Sequence, residues 1–382
     1  MENRRKFLKD SAKISGILAL SGAFGGAIGR NLFAKDSTNI GNLASANPAN
    51  NTINSMKGTN MKYIKLGQSD LSVSRICLGC MTFGKPQSSN QTWLLDQAKS
   101  DEMIKRSLEL GINFFDTANT YNGGTSEEFL GKAIKKFAKR EDVILATKVH
   151  FNEGKLSYKA IKREIDGSLK RLGTDYVDLY ITHRFDYTTP VEETMRALDE
   201  TIREGKVRYI GTSAMFAYQF YKMQEIARQN GYHTFISMQN HYNLIYREEE
   251  REMMQLLEEE KVMMTPYSPL AAGRLARSWR ANTERSKNDN FAKQKYDRNE
   301  KIDEPICRRV EEISKKYGVS MSEVALAWLL SKPLVASPIV GVTKISHLED
   351  AAKSVNLVLS QSDIAYLEEL YEPHEVVGAI RP

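Results

Sequence analysis

Cysteine is scarce. Three in 382 residues are too few for a disulfide framework, so a fold held by cross-links is excluded. Two of them form "CLGC" (Cys77, Cys80), but this lies in a strand-like run with no helix opening behind it to lower a thiol pKa, and it reads as structural. No Gly-rich dinucleotide fingerprint is present either. "GAFGGAIG", from Gly22, follows no strand and lacks the G-x-G-x-x-G spacing. His150, His233 and His241 share no ligand-set spacing with cysteines or carboxylates, so no metal is expected. The net charge of +6 is also unevenly placed. The first 60 residues hold 8 Lys and Arg against 3 Asp and Glu, which leaves about +1 for the remainder. A body so near neutrality gives nucleic-acid binding no electrostatic support.

The excess sits in a leader. "NRRKFLKDSAK" places Arg4, Arg5 and then Phe7-Leu8-Lys9 ahead of an uncharged, moderately apolar stretch from Ile14 to Gly29. The stretch is too short and too Gly-rich for a membrane span. A basic region followed by an apolar one resembles the twin-arginine export signal of bacteria. That resemblance implies a signal segment at 1–34, the export machinery as a partner, and a periplasmic or cell-envelope location. The alternative is an amphipathic N-terminal helix that leaves the protein cytoplasmic or membrane-tethered; "LFA" at 32–34 is a weak cleavage site. Residues 35–60 are Asn, Ser, Thr and Ala with scarcely a large apolar side chain, a flexible spacer. The folded domain is expected at 61–382.

Within it, "YIKLGQSDLSVS" reads as a short hairpin. Eight strand-like runs follow: "RICLGCMTFG", "INFFDTA", "VILATKV", "YVDLYITH", "VRYIGTSA", "FISMQNHY", "VMMTPYSPL" and "ASPIVGV". Between them lie amphipathic segments such as "SEEFLGKAIKKFA", "KAIKREIDGSLKRLG", "VEETMRALDETIREG" and "YREEEREMMQLLEEEK". Eight alternations predict an α/β fold, a (β/α)8 TIM barrel with an N-terminal β-hairpin, over an open doubly wound sheet. Successive runs end in Asp116, Lys148, His183, Ser213, Gln239 and Tyr267-Ser268. Six polar termini in a row read as the lining of the C-terminal mouth, where barrel enzymes keep their chemistry.

"NFFDTANTYNGG" delivers a carboxylate and a phenol to that mouth. A phenol ionises near 10, and an adjacent ammonium, Lys148, is expected to lower that value so that Tyr121 can give a proton to a developing alkoxide. Asp116 would hold Lys148 charged, and His183 would hydrogen-bond the substrate carbonyl. These four groups suit carbonyl reduction, provided a hydride is supplied.

The motifs "FFDTANTYNGGTSEEFLGKAI", "LATKV", "DLYITHRFD", "GKVRYIGTSA", "MQNHYNLIYREEE", "PYSPLAAGRL" and "SPIVGVTKISHLEDA", in this order, resemble the aldo-keto reductase superfamily over nearly all of residues 61 to 370. The resemblance implies a TIM barrel that binds NADP(H) without a Rossmann motif and reduces aldehydes or ketones, with Asp116, Tyr121, Lys148 and His183 as the tetrad. It also implies that Ser213 and Gln239 bind the carboxamide and that Tyr267 stacks on the nicotinamide. Ser268, Pro269, Leu270, Ala271 and Gly273 would then pass over the pyrophosphate, Gly341, Thr343, His347 and Asp350 would flank the adenosine end, and Cys80 and Met81 would lie near the nicotinamide. Two positions depart from the family pattern. Ala214 stands where a polar side chain usually follows the serine, and Lys344, His347 and Arg277 stand in for a single clear 2′-phosphate cation, so NADP(H) is favoured over NAD(H) only on their account. Asn119, His150, His183 and Phe216 are candidates to shape the substrate pocket. The charged segment Arg280 to Asp303 reads as a lid or a solvated insertion. A nucleotide-bound redox-sensing subunit with little turnover is the alternative function; the carbonyl substrate and the oligomeric state are not written in the sequence.

Overall fold

The computed structural model describes residues 59–379 apart from 88–90, 280 and 282–288. The leader and the spacer through residue 58 therefore lie outside the described residues. The chain enters as an antiparallel hairpin of β1 (Tyr63–Lys65) and β2 (Ser72–Ser74), with Tyr63 opposite Ser74. Eight parallel strands follow: β3 (Cys77–Gly79), β4 (Phe114–Asp116), β5 (Ile144–Val149), β6 (Val177–Thr182), β7 (Val207–Ser213), β8 (Ser237–Gln239), β9 (Met263–Met264) and β10 (Ile339–Gly341). Their spatial order is β10-β3-β4-β5-β6-β7-β8-β9. The sheet curls until its edges meet, with Ala336 N–H donating to the Met264 carbonyl at 2.8 Å and Ile339 N–H to that of Pro266 at 2.9 Å. This is the α/β architecture expected of a (β/α)8 fold, and each expected run supplies one strand.

Residues two apart along the strands divide the core. Cys77, Phe114, Ala146, Leu179, Ile181 and Ile339 cluster with Leu66, Leu71 and Val73 of the hairpin segment. Leu78, Phe115, Leu145 and Tyr180 pack instead in the larger cluster with the helices. With both faces covered, β5 and β6 are buried throughout, which explains their continuous apolar runs.

Local signals set the helices. In α3 (Tyr158–Leu172) the Ser157 side chain accepts from the Ala160 N–H, Gly173 ends the helix in the left-handed region, and Ile161, Ile165 and Leu172 are buried. Its neighbour α2 (Thr125–Phe137) touches it through Gly131, where an added Cβ would lie 2.1 Å from the Leu172 carbonyl oxygen. Only glycine admits so close an approach.

Two segments differ from the sequence expectation. "YREEEREMMQLLEEEK" gives a 3-10 turn, Glu248–Glu250, and a short helix, Met253–Glu260. Its acidic side chains turn inward to partners: Glu248 accepts from Tyr371, and Glu250 from Tyr242 and Arg247. The charged stretch after β9 also holds helices, Asn290–Tyr296 and the start of Glu300–Tyr317, because Asp289 caps the first and Ala292 and Tyr296 are buried four apart. Among the described residues no helix is long and apolar enough to cross a membrane.

Candidate active site

The C-terminal ends of β4, β5 and β6 bring three of the four tetrad candidates together, and the β4 loop adds the fourth. Asp116 ends β4, Lys148 lies one residue from the end of β5, and His183 follows β6 directly. Tyr121 opens a 3-10 turn, Tyr121–Gly124, in which Asn122 adopts φ 52°. Asparagine tolerates this left-handed backbone better than most residues. Its Nδ2 then donates to the carbonyls of Met81 at 2.9 Å and Phe83 at 2.8 Å, tying the tyrosine's turn to the segment after β3.

Lys148 is the hub. Its Nζ donates to Asp116 Oδ1 at 2.5 Å, to the Thr117 carbonyl at 2.7 Å and to the Tyr121 hydroxyl at 3.2 Å. Neither member of the ion pair is exposed to any extent, at 0% and 3% of the side chains. The Asp116 Oδ2 atom accepts from Gln239 Nε2 at 2.9 Å. The strand that carries Lys148 is fixed in turn by its neighbour Thr147, which donates to buried Glu127, itself paired with Arg171.

Electrostatics assign a state to each group. Burial alone would depress the Lys148 ammonium, but Asp116 and Tyr121 outweigh it and hold its pKa above the usual lysine value. The sequence led us to expect a lowered Tyr121 pKa; the structure reverses the sign, because desolvation of the phenol exceeds the pull of Lys148 and raises it. Tyr121 therefore stays protonated across neutral pH. Burial and then the charge of Lys148 push His183 well below the ordinary histidine range, so its ring is neutral. His183 Nδ1 is buried with no partner. The tautomer with its proton on Nε2 leaves no buried donor unmet and aims an N–H at the mouth. His183 also meets Tyr121 edge-on, with centroids 5.7 Å apart.

The expected cofactor contacts fall into groups. Ser213 donates to the Gln239 carbonyl at 2.5 Å, linking the ends of β7 and β8. Tyr267 stacks on His241 at 5.3 Å and 14°, and Lys295 Nζ lies 4.5 Å from the centre of the Tyr267 ring. Burial, reinforced by Arg184, pushes this lysine down to about 7. The charged segment beyond β9 is thus neither a free loop nor a solvated insertion at this point; it docks on the expected stacking tyrosine. On either side of Pro269 and Leu270, the loop turns tightly through left-handed Ser268 (φ 53°), Ala271 (φ 48°), Ala272 (φ 54°) and Gly273 (φ 92°). The Ala271 and Gly273 N–H groups are engaged inside it by Ser268 and Leu270. A Cβ at Gly273 would meet the Arg277 guanidinium at 2.8 Å.

At the other end, Gly341 closes β10, and Thr343 and Lys344 lead into the helix Ile345–Lys353, which carries His347 and Asp350. Burial, then Lys344, and beyond the opposing Asp350 also Arg277, lower the His347 pKa. Lys344 and Arg277 thus both act on His347 as positive charges, the sign that a phosphate would need. Cys80 is buried with its thiol pushed up by burial and Asp116, and Met81 beside it is 48% exposed. Of the pocket candidates, His150 and His183 both meet the Phe151 ring edge-on, at 4.8 Å and 4.9 Å. Phe216 stacks on Tyr218. Asn119 is turned away, donating to Glu164 at 2.7 Å. Sequence reasoning missed Phe151, Arg184 and Lys295; the position of Arg184 directly after His183 was the available signal.

The aldo/keto reductase family model matches residues 75–372. The chain is 41% identical over 342 residues to versiconal hemiacetal acetate reductase of Aspergillus parasiticus, covering 83% of this chain and 98% of that protein. It is 42% identical over 349 residues to a Schizosaccharomyces pombe protein named as an aryl-alcohol dehydrogenase, with the same coverage of 83% and 98%. It is 37% identical over 363 residues to the aldo-keto reductase AMT2 of Alternaria alternata, covering 87% and 97%.

Proposed function

Because this chain belongs to the aldo/keto reductase family, we propose that it reduces aldehyde or ketone groups to alcohols with NADP(H) as coenzyme and Tyr121 as the proton donor. The observation that carries this reading is the Lys148 ammonium, buried within hydrogen-bond reach of both Asp116 and Tyr121. Bound dinucleotide supplies the hydride; the chain's own residues handle the proton and the charge. Tyr121 keeps its proton until a developing alkoxide takes it. Lys148 then stabilises the phenolate that remains, and Asp116 keeps Lys148 charged. Neutral His183 donates from Nε2 to the carbonyl oxygen and orients it.

The residues fit the coenzyme. Tyr267 offers a flat ring in the segment after β9, its N–H bonded to the Asn240 carbonyl next to Gln239, which Ser213 in turn meets, and the positive charges of Lys344 and Arg277 acting on His347 favour a 2′-phosphate, hence NADP(H) over NAD(H). Following oxidation of NADPH and NADH against aldehydes, ketones and quinones tests this reading. Turnover with NADPH at the lower KM is expected, whereas bound nucleotide without turnover would instead indicate a redox-sensing subunit.

The leader motivates a proposal on location. We infer that Arg4 and Arg5 direct the folded protein through the twin-arginine route with its nucleotide bound, under the domain division 1–34, 35–60 and 61–382. Protein recovered from the cell envelope without nucleotide would contradict this.

A further inference from the structure

We propose that the substrates of this reductase carry a carboxylate beyond a flat apolar body, and that Arg184 selects them. The inference rests on the reductase reading above and concerns which carbonyl compounds the mouth accepts. Arg184 follows His183 at the end of β6, and its guanidinium lies over the Phe151 ring, 5.4 Å from Cζ to centroid. Phe151 is 50% exposed, unusual for a large apolar side chain at a strand end, and its ring stands edge-on to His183 at 4.9 Å. The order is therefore imidazole, then phenyl face, then guanidinium. A carbonyl held at His183 and Tyr121 would leave the body of its substrate against Phe151 and the far substituent at Arg184.

Charge supplies the second argument. No carboxylate pairs with Arg184 among the described residues. Asp186, two positions on, is engaged by the hydroxyls of Thr188 and Thr189 and by the Leu156 N–H. Asp116 is taken up by Lys148 and Gln239. Asp289 bears on Lys295 rather than on Arg184, although Arg184 and Lys295 both lie near Tyr267. A planar guanidinium on an aromatic face, without an acidic partner among the described residues, matches the fork geometry of a carboxylate.

The test uses the full chain with 4-carboxybenzaldehyde and its neutral methyl ester as substrates, in the wild type, Arg184→Met and Arg184→Lys. The wild type should favour the carboxylate by about tenfold or more in kcat/KM, the scale of a charge-assisted hydrogen bond. Arg184→Met should lose that preference through KM, Arg184→Lys should keep part of it, and NADPH affinity should not change. Equal loss on both substrates, a wild-type preference for the ester, or weakened NADPH binding would overturn the inference, the last by assigning Arg184 to the coenzyme. Turnover of neither aldehyde would instead sink the reductase reading. Binding of benzoate against benzamide to nucleotide-loaded protein then reads the anion site directly: weaker benzoate binding in Arg184→Met supports it, and equal affinities refute it.

Discussion

Replacing Asp116 by asparagine isolates the interaction on which the site depends. The substitution preserves shape but leaves the Lys148 ammonium, 0% exposed, without its counter-ion. Two contacts to Lys148 survive, the Thr117 carbonyl at 2.7 Å and the Tyr121 hydroxyl at 3.2 Å. The new amide can accept from Lys148 or from Gln239, but its nitrogen then faces the other donor. Breaking a buried pair from one side costs about 3–5 kcal/mol, which for a domain of this size lowers Tm by roughly 4–7 °C. The sign with pH follows. With Asp116 neutralised, burial is opposed only by the surviving Thr117 and Tyr121 contacts and draws the Lys148 pKa below its unfolded value, so the unfolded chain binds more protons than the native one between those two values. Stability of the variant relative to wild type then rises with pH through that window, and catalysis, which needs the ammonium, improves as pH falls. Denaturant unfolding of Asp116→Asn, Lys148→Met and the double variant from pH 6 to pH 9 measures this. The double variant should be more stable than Asp116→Asn alone, because the uncompensated charge is gone. Strict additivity, or a loss for Asp116→Asn below about 1 kcal/mol at pH 6, would refute the argument.

Two further substitutions probe fold and site separately. Gly131→Ala should destabilise by several kcal/mol on the order of an overpacked core, since its Cβ would strike the Leu172 carbonyl at 2.1 Å; a Tm within about 2 °C of wild type would mean that α2 and α3 separate freely. Ala214 holds φ 48° at the position after Ser213, a left-handed backbone that costs an alanine about 1 kcal/mol. Ala214→Asn should raise Tm and tighten nicotinamide coenzyme binding by restoring an amide; a variant that binds NADPH more weakly would place this side chain away from the carboxamide.

Much of the fold was legible because strand order and chain order coincide around the sheet, so eight apolar runs in sequence are also neighbours in space. Asp116, Lys148, Ser213 and Gln239 were legible for the same reason, since strand ends in a parallel sheet share one side. What escaped was tertiary. The direction of the Tyr121 shift depended on how deeply the phenol is desolvated, which no local pattern reports. The helix Asn290–Tyr296 has only two buried residues, Ala292 and Tyr296, described within it and is specified by docking on His241 and Tyr267 rather than by periodicity. The acidic run at Glu248–Glu250 looked like a solvated helix face because its partners Tyr371 and His374 lie more than a hundred residues away.

The most direct measurement of the central claim is NADPH oxidation by wild type and Tyr121→Phe with an aldehyde that the wild type reduces, alongside NADPH affinity for each. Loss of the hydroxyl removes the proton donor and one contact of Lys148 but no coenzyme contact, so kcat should fall by about a hundredfold or more with nucleotide affinity unchanged. A variant that retains its turnover would contradict the assignment of Tyr121 as the acid.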